Sequence, residues 1–313
     1  MKQQDTPDRA LFYIGVDGGG TNCRARIEDA GGCPLGRGVA GPATTRIGPV
    51  KAMQAVTTAS LAAAIDAGLP PDALVQSIAG VGLAGIDREG MFEVVLRQPH
   101  PFRNMVCSTD ANTACLGAHS GCDGGIVIAG TGSIGFARAS GRELRIGGYG
   151  FPISDEGSGA DVGLQAVRVA LRAHDGRMTP TGFSREIMRR LGPEPSTVVA
   201  WSEQATATDY ARLAPVVFDH AEAGDPLAQD IVVDGARQID RLVRSLLEFG
   251  APRISLLGGL ALPFMRWLSP DVLQALSPPE GDAVAGALLL ARGAMTLAPD
   301  HQTGRTWSST NAD

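Results

Sequence analysis

A motif that occurs twice constrains this chain more than any other feature. Residues 12–27 read FYIGVDGGGTNCRARI, and residues 124–139 read GGIVIAGTGSIGFARA. Each joins an apolar strand to an outgoing strand that carries arginine, through a glycine turn containing a hydroxyl residue. Any strand–turn–strand hairpin would look similar. The hydroxyl inside both turns favours an internal duplication of an α/β unit, each half contributing one glycine turn. At 313 residues, the chain is long enough for two domains.

The flanking pattern fits that reading. Strands are expected over 11–17, 23–29 and briefly within 31–43. A helix starts near Gly48 and ends at Gly68, with Pro70 and Pro71 beyond it. A strand over 73–85, a helix near 87–97, a strand over 103–110 and a helix from ANTACLGAH complete the first half. The second half turns helical after 124–140, at 157–174, 209–224 and 225–250, where apolar residues recur at i, i+3 and i+4. A strand over 253–261 and a last helix over 282–295 close the pattern. The lobes are therefore drawn at 10–117, with the closing helix 282–297 returning to it, and at 118–281. Residues 298–313 form a polar tail expected to be disordered.

Composition excludes several classes. The net charge of −6 offers no basic surface for nucleic acid or an anionic membrane. No segment reaches the ~18–20 apolar residues of a membrane helix. The N-terminus MKQQDTPDRA has no apolar run and reads as no secretory signal. Five cysteines without a C-x-x-C pair argue against a zinc knuckle or redox dithiol, and read as reduced thiols in the cytoplasm. His100, His119, His174, His220 and His301 form no metal-ligand spacing. No G-x-S-x-G or G-K-[ST] occurs, so neither a hydrolase elbow nor a P-loop is present.

The glycine turns carry the chemistry. Gly18, Gly19 and Gly20 can reach positive φ and remove side chains that would block an anion, towards which backbone N–H groups can converge. Thr21 adds a hydroxyl. Asp17 cannot touch a phosphate directly, and a hydrated Mg²⁺ between them resolves the repulsion. An ordinary hairpin is the alternative, but a carboxylate before three glycines stabilises nothing obvious. The second turn, Gly130-Thr131-Gly132-Ser133-Ile134-Gly135, matches G-x-G-x-x-G, and Asp155 stands 20 residues beyond it. A dinucleotide site needs a helix to open there. The following FARASGRELRIGGYG alternates like strands, so that reading is rejected. Lys2 and Lys51 are the only lysines; two glycine turns with Mg²⁺ can neutralise a triphosphate without one.

Three further places invite a role. Asp110 ends an apolar strand and begins a helix, where it could take a proton from an attacking hydroxyl or simply cap the helix. GGYGFPISDEGSG, residues 147–159, crowds glycines and two acids before a helix. Its polar groups could bind sugar hydroxyls, or Ser154 or Asp155 could cap. Gly258 and Gly259 allow close approach of a base or ribose, or make a plain β–α turn.

With these residues in view, the chain resembles the sugar kinases of the actin/Hsp70/hexokinase-type fold, in the N-acetylglucosamine kinase and BadF/BadG-type ATPase branch. The matching stretches are GVDGGGTNCRARI, HPF, TDANTACLGAH, IAGTGS, FPISDEGSG, VAWSEQA, GDPLA and WLSP, spread over about residues 12–290. The resemblance implies an α/β, two-lobed, duplicated ribonuclease H-like fold with ATP and sugar in the cleft and lobes that close on sugar. It implies ATP-dependent phosphorylation of the 6-hydroxyl of an amino sugar, glucosamine first, with N-acetylglucosamine and glucose as alternatives. Asp17, Gly19, Gly20 and Thr21, and Gly130, Thr131 and Gly132, would hold the phosphates with Mg²⁺ at Asp17. Gly258 and Gly259 would lie near the adenosine. Asp110 would be the base, and Ser133, Gly148, Tyr149, Gly150 and Asp155 would line the sugar site. Thr44 replaces an asparagine usual after AGPA in this branch, offering one hydroxyl in place of an amide. A homodimer is implied by kinship alone. The competing class is an ATPase that activates a redox partner, which would need cysteines holding an iron–sulfur cluster. A sugar-sensing repressor would need a helix-turn-helix for which no N-terminal residues are available.

Overall fold

The computed structural model describes residues 12–293. The N-terminal segment, the tail 298–313 and positions 294–297 of the expected closing helix lie outside the described residues. The chain divides into two compact units. The first runs to Thr113 and resumes at Val284; the second is Ala114–Ala283.

The first unit contains β1 (Phe12–Gly18), β2 (Cys23–Asp29), β3 (Pro34–Ala40), α1 (Pro49–Asp66), β4 (Ser77–Leu83), α2 (Met91–Leu96) and β5 (Asn104–Thr109), and α3 (Asp110–Ala118) begins in it. The division falls inside α3, whereas the sequence draws it at the helix's end. The sheet order is β3-β2-β1-β4-β5. Strands β1, β2 and β3 form an antiparallel meander, and β4 and β5 run parallel to β1. The second unit carries β6 (Gly124–Ala129), β7 (Ser133–Ala139), β8 (Arg142–Gly147) and β9 (Ile254–Leu257) in the order β8-β7-β6-β9. Again a meander is followed by a strand parallel to its first member. The two four-strand sets share order and direction, as an internal duplication requires. They differ in the crossover: α1 alone leads towards β4, whereas a helical layer precedes β9. It comprises α4 (Gly159–His174), α5 (Gly182–Leu191), α6 (Pro195–Ser202), α7 (Ala207–Ala211), α8 (Ala214–Glu222) and α9 (Pro226–Phe249), of which α4 and α9 are the main members.

Several sequence expectations shift. The stretch before β4 is a 3-10 turn, Pro71–Gln76, because the Pro70–Pro71 pair starts a turn. The expected helix 209–224 is two helices, Ala207–Ala211 and Ala214–Glu222; Pro215 stands in the first turn of the second and supplies no N–H. The strand at 253–261 stops at Leu257, where Gly258 takes φ 95°. Helices Gly182–Leu191 and Pro195–Ser202 appear where the sequence reading placed none.

In the first unit, helices lie directly on glycine. Gly15 of β1 and Gly80 of β4 are register partners. A Cβ at Gly80 would overlap the carbonyl oxygen of Ala287, and one at Gly15 that of Val284, both in the closing helix Ala283–Gly293. On the opposite face, Gly36 and Gly38 of β3 meet the carbonyls of Ala63 and Ala59 in α1. Tyr13, Ile78, Val284, Leu288 and Ala291 form the apolar seam under the closing helix. Arg292 seals it: its guanidinium lies 4.2 Å from the Tyr13 ring centre and donates to Glu28 Oε2 at 2.9 Å. Ile14, Val16, Cys23, Ala25 and Ile27 face α1 on the other side.

The second unit is built around β6, β7, α4 and α9, with Val127, Ala137, Ala166, Phe183, Ile239, Val243 and Phe264 in its core. His119 is fully buried, and its Nε2 bonds to the Gly125 carbonyl at 2.8 Å. Its ring packs so tightly on Gly124 that no Cβ would fit there. Burial lowers its pKa, and Nδ1 has no partner.

Three outcomes follow from this packing. Gly80→Ala should destabilise by about 1–3 kcal/mol, read as a lower urea midpoint, because backbone must move to admit the methyl. Gly20→Ala, with nothing within 4 Å of the added carbon, should shift stability by less than about 0.5 kcal/mol. Burial holds the folded pKa of His119 below the ~6.5 of the unfolded chain. Above that pH its contribution is complete; as pH falls below about 6.5 the unfolded chain takes up the proton and stability drops. Thermal unfolding between pH 7.5 and 5.5 should show this slope, and His119→Gln should flatten it.

Candidate active site

In the first unit, β1 delivers Asp17 and the glycines to the sheet's edge. The turn is closed by Gly19 N–H donating to Asn22 O at 3.0 Å, while Ala84 N–H and Ala43 N–H donate to the carbonyls of Gly18 and Gly19. None of Gly18, Gly19 and Gly20 adopts positive φ, contrary to the sequence expectation. Space is what they supply. A Cβ at Gly18 would meet Leu83 Cδ2 at 2.5 Å, whereas Gly20 borders open space and Thr21 is exposed. Asp17 is the register partner of Arg24, and the two form an ion pair of 2.6 Å. The carboxylate therefore has a structural role that the sequence reading did not see.

Asp110 belongs to the same edge. Gly18, Leu83 and Thr109 are aligned across β1, β4 and β5. Asp110 follows immediately, so it stands two strand spacings, roughly 10 Å, from the first turn. The helix cap is Thr109, whose Oγ1 accepts from Asn112 N–H at 3.1 Å. Asp110 is the first helical residue, with Oδ1 accepting from Ala111 N–H at 3.0 Å. Thr109 rather than Asp110 thus supplies the N-cap bond, while Asp110 takes the adjacent helix amide. Thr44 is 7% exposed. Its hydroxyl donates to Ala84 O at 3.2 Å and accepts from Arg46 N–H at 3.3 Å, so backbone groups occupy most of its capacity.

In the second unit, the turn 130–133 is tied to α4. Gly130 N–H donates to Gly132 O, and the amides of Gly159 and Ala160 donate to the carbonyls of Gly130 and Thr131 at 2.8 and 3.1 Å. The cap of α4 is Ser158, accepting from Asp161 N–H at 3.2 Å, rather than Ser154 or Asp155. That releases Asp155, which adopts φ 69° and accepts from Gly150 N–H at 3.3 Å. A Cβ at Gly132 would lie 2.7 Å from Asp155 Oδ2, so the glycine admits this carboxylate against the turn. Ser133, only 4% exposed, donates to the Glu156 carbonyl at 2.7 Å. Arg145 donates to Gly148 O at 2.7 Å and lies 5.5 Å from the centre of the Tyr149 ring. Gly258 is required by its positive φ and by contact with the Ala129 carbonyl; Gly259 has open space beside it.

The structure thus gathers Gly130, Thr131, Gly132, Ser133, Gly150 and Asp155, with Gly148 and Tyr149 on the adjoining loop. It gathers Asp17, Gly19, Gly20, Thr21 and Asp110 on one sheet edge of the other unit, with Thr44 just beyond the Gly19–Ala43 bond. A cavity of about 460 Å³ opens beside Ser133 and Tyr149, and Glu156, Gln238 and Arg241 also line it. The sequence reading missed Gln238, Arg241 and Leu242, although their i, i+3, i+4 spacing on α9 marks one helix face. Among the described residues, no three His, Cys, Asp or Glu side chains are grouped to hold a metal. Cys23, Cys107 and Cys115 are buried, and burial pushes their thiols up to about 12.

Comparison with known proteins extends this picture. The sequence profile of the BadF/BadG/BcrA/BcrD ATPase family matches residues 14–291. The chain is 40% identical to the glucosamine kinase GspK of Vibrio cholerae serotype O1 over 280 residues, covering 90% of this chain and 95% of that one. It is 35% identical to a candidate N-acetylglucosamine kinase of Chromobacterium violaceum of known structure, with a TM-score of 0.85 over 91% of this chain and all of the other. A ROK-family glucokinase of Streptomyces griseus, solved with glucose and AMPPNP, has a TM-score of 0.52 at 19% identity over 90% of this chain and 99% of that one. That likeness shows the fold alone. The fold is the duplicated α/β architecture of the hexokinase-like sugar kinases.

The capping assignment can be checked by urea unfolding. Thr109→Ala should cost about 1 kcal/mol as the loss of a cap, whereas Asp110→Asn removes no cap and should cost less.

Proposed function

The chain belongs to the BadF/BadG/BcrA/BcrD ATPase family, and on that premise we propose that it is a carbohydrate kinase transferring the γ-phosphoryl group of ATP to the 6-hydroxyl of an amino sugar, glucosamine first. The observation that carries this reading is Asp110. It is a half-buried carboxylate at the C-terminal edge of a sheet, where α/β proteins take ligands, and Thr109 rather than Asp110 supplies the N-cap bond of α3. In the proposed step, Asp110 accepts the proton of the sugar's 6-hydroxyl as that oxygen bonds to the γ-phosphorus and the bond to ADP breaks. Ser133, Gly148, Tyr149, Gly150 and Asp155 are assigned to the sugar. Thr44 is a weaker candidate, since its hydroxyl already serves backbone groups.

The phosphates are assigned to the two glycine turns. Gly20 and Thr21 are exposed at the rim of the first, beside the half-buried Gly19, which fits an incoming anion. Thr131 and Gly132 are the corresponding residues of the second. Gly259, with open space, is a better candidate for contact with the adenosine than Gly258, which packing explains. Mg²⁺ fits at Asp17 on one condition: Arg24 engages Oδ2, so a hydrated ion would use Oδ1. When bound, Mg²⁺ supplies neutralisation of the triphosphate charge. A cytoplasmic homodimer belongs to the same proposal and rests on kinship; no helix of the described residues is long and apolar enough to cross a membrane.

The second reading is N-acetylglucosamine as acceptor, favoured by the Chromobacterium violaceum relative. A redox-activating ATPase is less favoured: Cys23, Cys107 and Cys115 are buried, and the exposed Cys33 and Cys122 belong to no metal-holding cluster among the described residues.

Two measurements test the proposal. ADP release on a panel of sugars should be fastest with glucosamine; dominant turnover of the acetylated sugar would replace glucosamine by the second reading. Asp110→Asn should lose about 10²–10⁴-fold in turnover while still binding ATP. A variant as active as the parent would remove Asp110 from the mechanism.

A further inference from the structure

The cavity of the second unit holds two charges for which the proposed phosphoryl transfer gives no role. Its volume of about 460 Å³ is ample for a small molecule. Ser133, Ser154, Gln238, Glu156 and Arg241 supply polar groups, and Tyr149, Ile153 and Leu242 supply apolar surface. The carboxylate of Glu156 accepts from Ser154 Oγ at 3.3 Å. Its backbone carbonyl accepts from Ser133 Oγ at 2.7 Å, which fixes its position relative to the second glycine turn. Arg241 donates to Gln238 Oε1 at 3.1 Å. Each charge is held by a neutral neighbour, and neither engages the other.

An ionised carboxylate only accepts hydrogen bonds. A sugar hydroxyl offers it one neutral donor, and an acetamido group offers one neutral N–H. A protonated 2-amino group offers three donors and a full positive charge. Any donor to a carboxylate makes a charge-assisted bond, and only the ammonium adds the attraction of an opposite full charge. Arg241 repels a cation, so an ammonium group belongs at the Glu156 end of the cavity. The apolar surface of Tyr149, Ile153 and Leu242 suits the carbon face of a pyranose ring. Building on the kinase reading above, we infer that Glu156 selects the acceptor by binding the 2-ammonium group of the amino sugar. Glu156 thereby becomes a specificity residue of the same site, adjacent in sequence to Asp155 and distinct from it in role.

The test is the ratio of kcat/KM for glucosamine to that for glucose, in the parent protein and in Glu156→Gln. The substitution keeps the side chain's shape and removes its charge, and the exposed position of Glu156 keeps the fold intact, which thermal unfolding checks. The ratio should fall about two- to fivefold, as expected when an exposed pair of opposite charges becomes a bond from the ammonium to a neutral amide. The same ratio can be read from calorimetric affinities where glucose turnover is slow. Equal losses on both sugars, or an unchanged ratio, would overturn the assignment of Glu156 and leave the kinase reading standing. A parent protein that phosphorylates no sugar would remove the kinase reading, and this inference with it.

Discussion

The contact on which the first unit depends is that of helix backbone lying on strand glycine. Gly15 and Gly80 sit side by side in β1 and β4, and the closing helix rests on both without a side chain between them. Packing at this range yields dense van der Waals contact but tolerates no added carbon. It also explains how residues after 283 become part of a unit whose other members end at 113. The Arg292 contacts with Tyr13 and Glu28 then fix the helix against sliding along the sheet. Gly36 and Gly38 do the same for α1 on the opposite face. The sheet is gripped from both sides by the removal of side chains.

That grip positions the chemistry. With β1, β4 and β5 parallel and in register, their C-terminal ends fall on one line, and Asp17 to Thr21 and Asp110 stand along it. The second unit repeats the construction, and its glycine turn is bonded to the first amides of α4. Glycines in both turns serve as vacated space more than as flexible joints. Gly18 makes way for Leu83, Gly132 for the Asp155 carboxylate, and Gly20 for whatever approaches from outside. The Asp155 carboxylate lies against the same turn, because the chain loops back through Gly150.

Legibility followed the range of the interaction. The duplicated hairpins, the strands either side of them and the long amphipathic helices were readable because local periodicity specifies them. Helix 182–191 was not, although Thr181 and Ser184 cap each other reciprocally there; its pattern is too short to separate from a loop. Asp17 and Asp110 were readable as candidates, but their local partners were not. Whether Asp110 caps α3 depends on which neighbour reaches the third helical amide, and Thr109 does. Glu156 stood in view within a motif, yet Gln238 and Arg241 lie over 80 residues away on α9 and share its cavity only through the fold.

By itself, the sequence determined the α/β class, the doubled glycine turn and the two sheet edges that carry the candidate residues, since alternation and helical spacing are properties of neighbours along the chain. Only the tertiary structure decided why each glycine is a glycine, what Asp17 and Thr44 are bonded to, which residue caps each helix, and which charges share a cavity. Those depend on atoms brought together from distant positions, and no local pattern records which distant group will arrive.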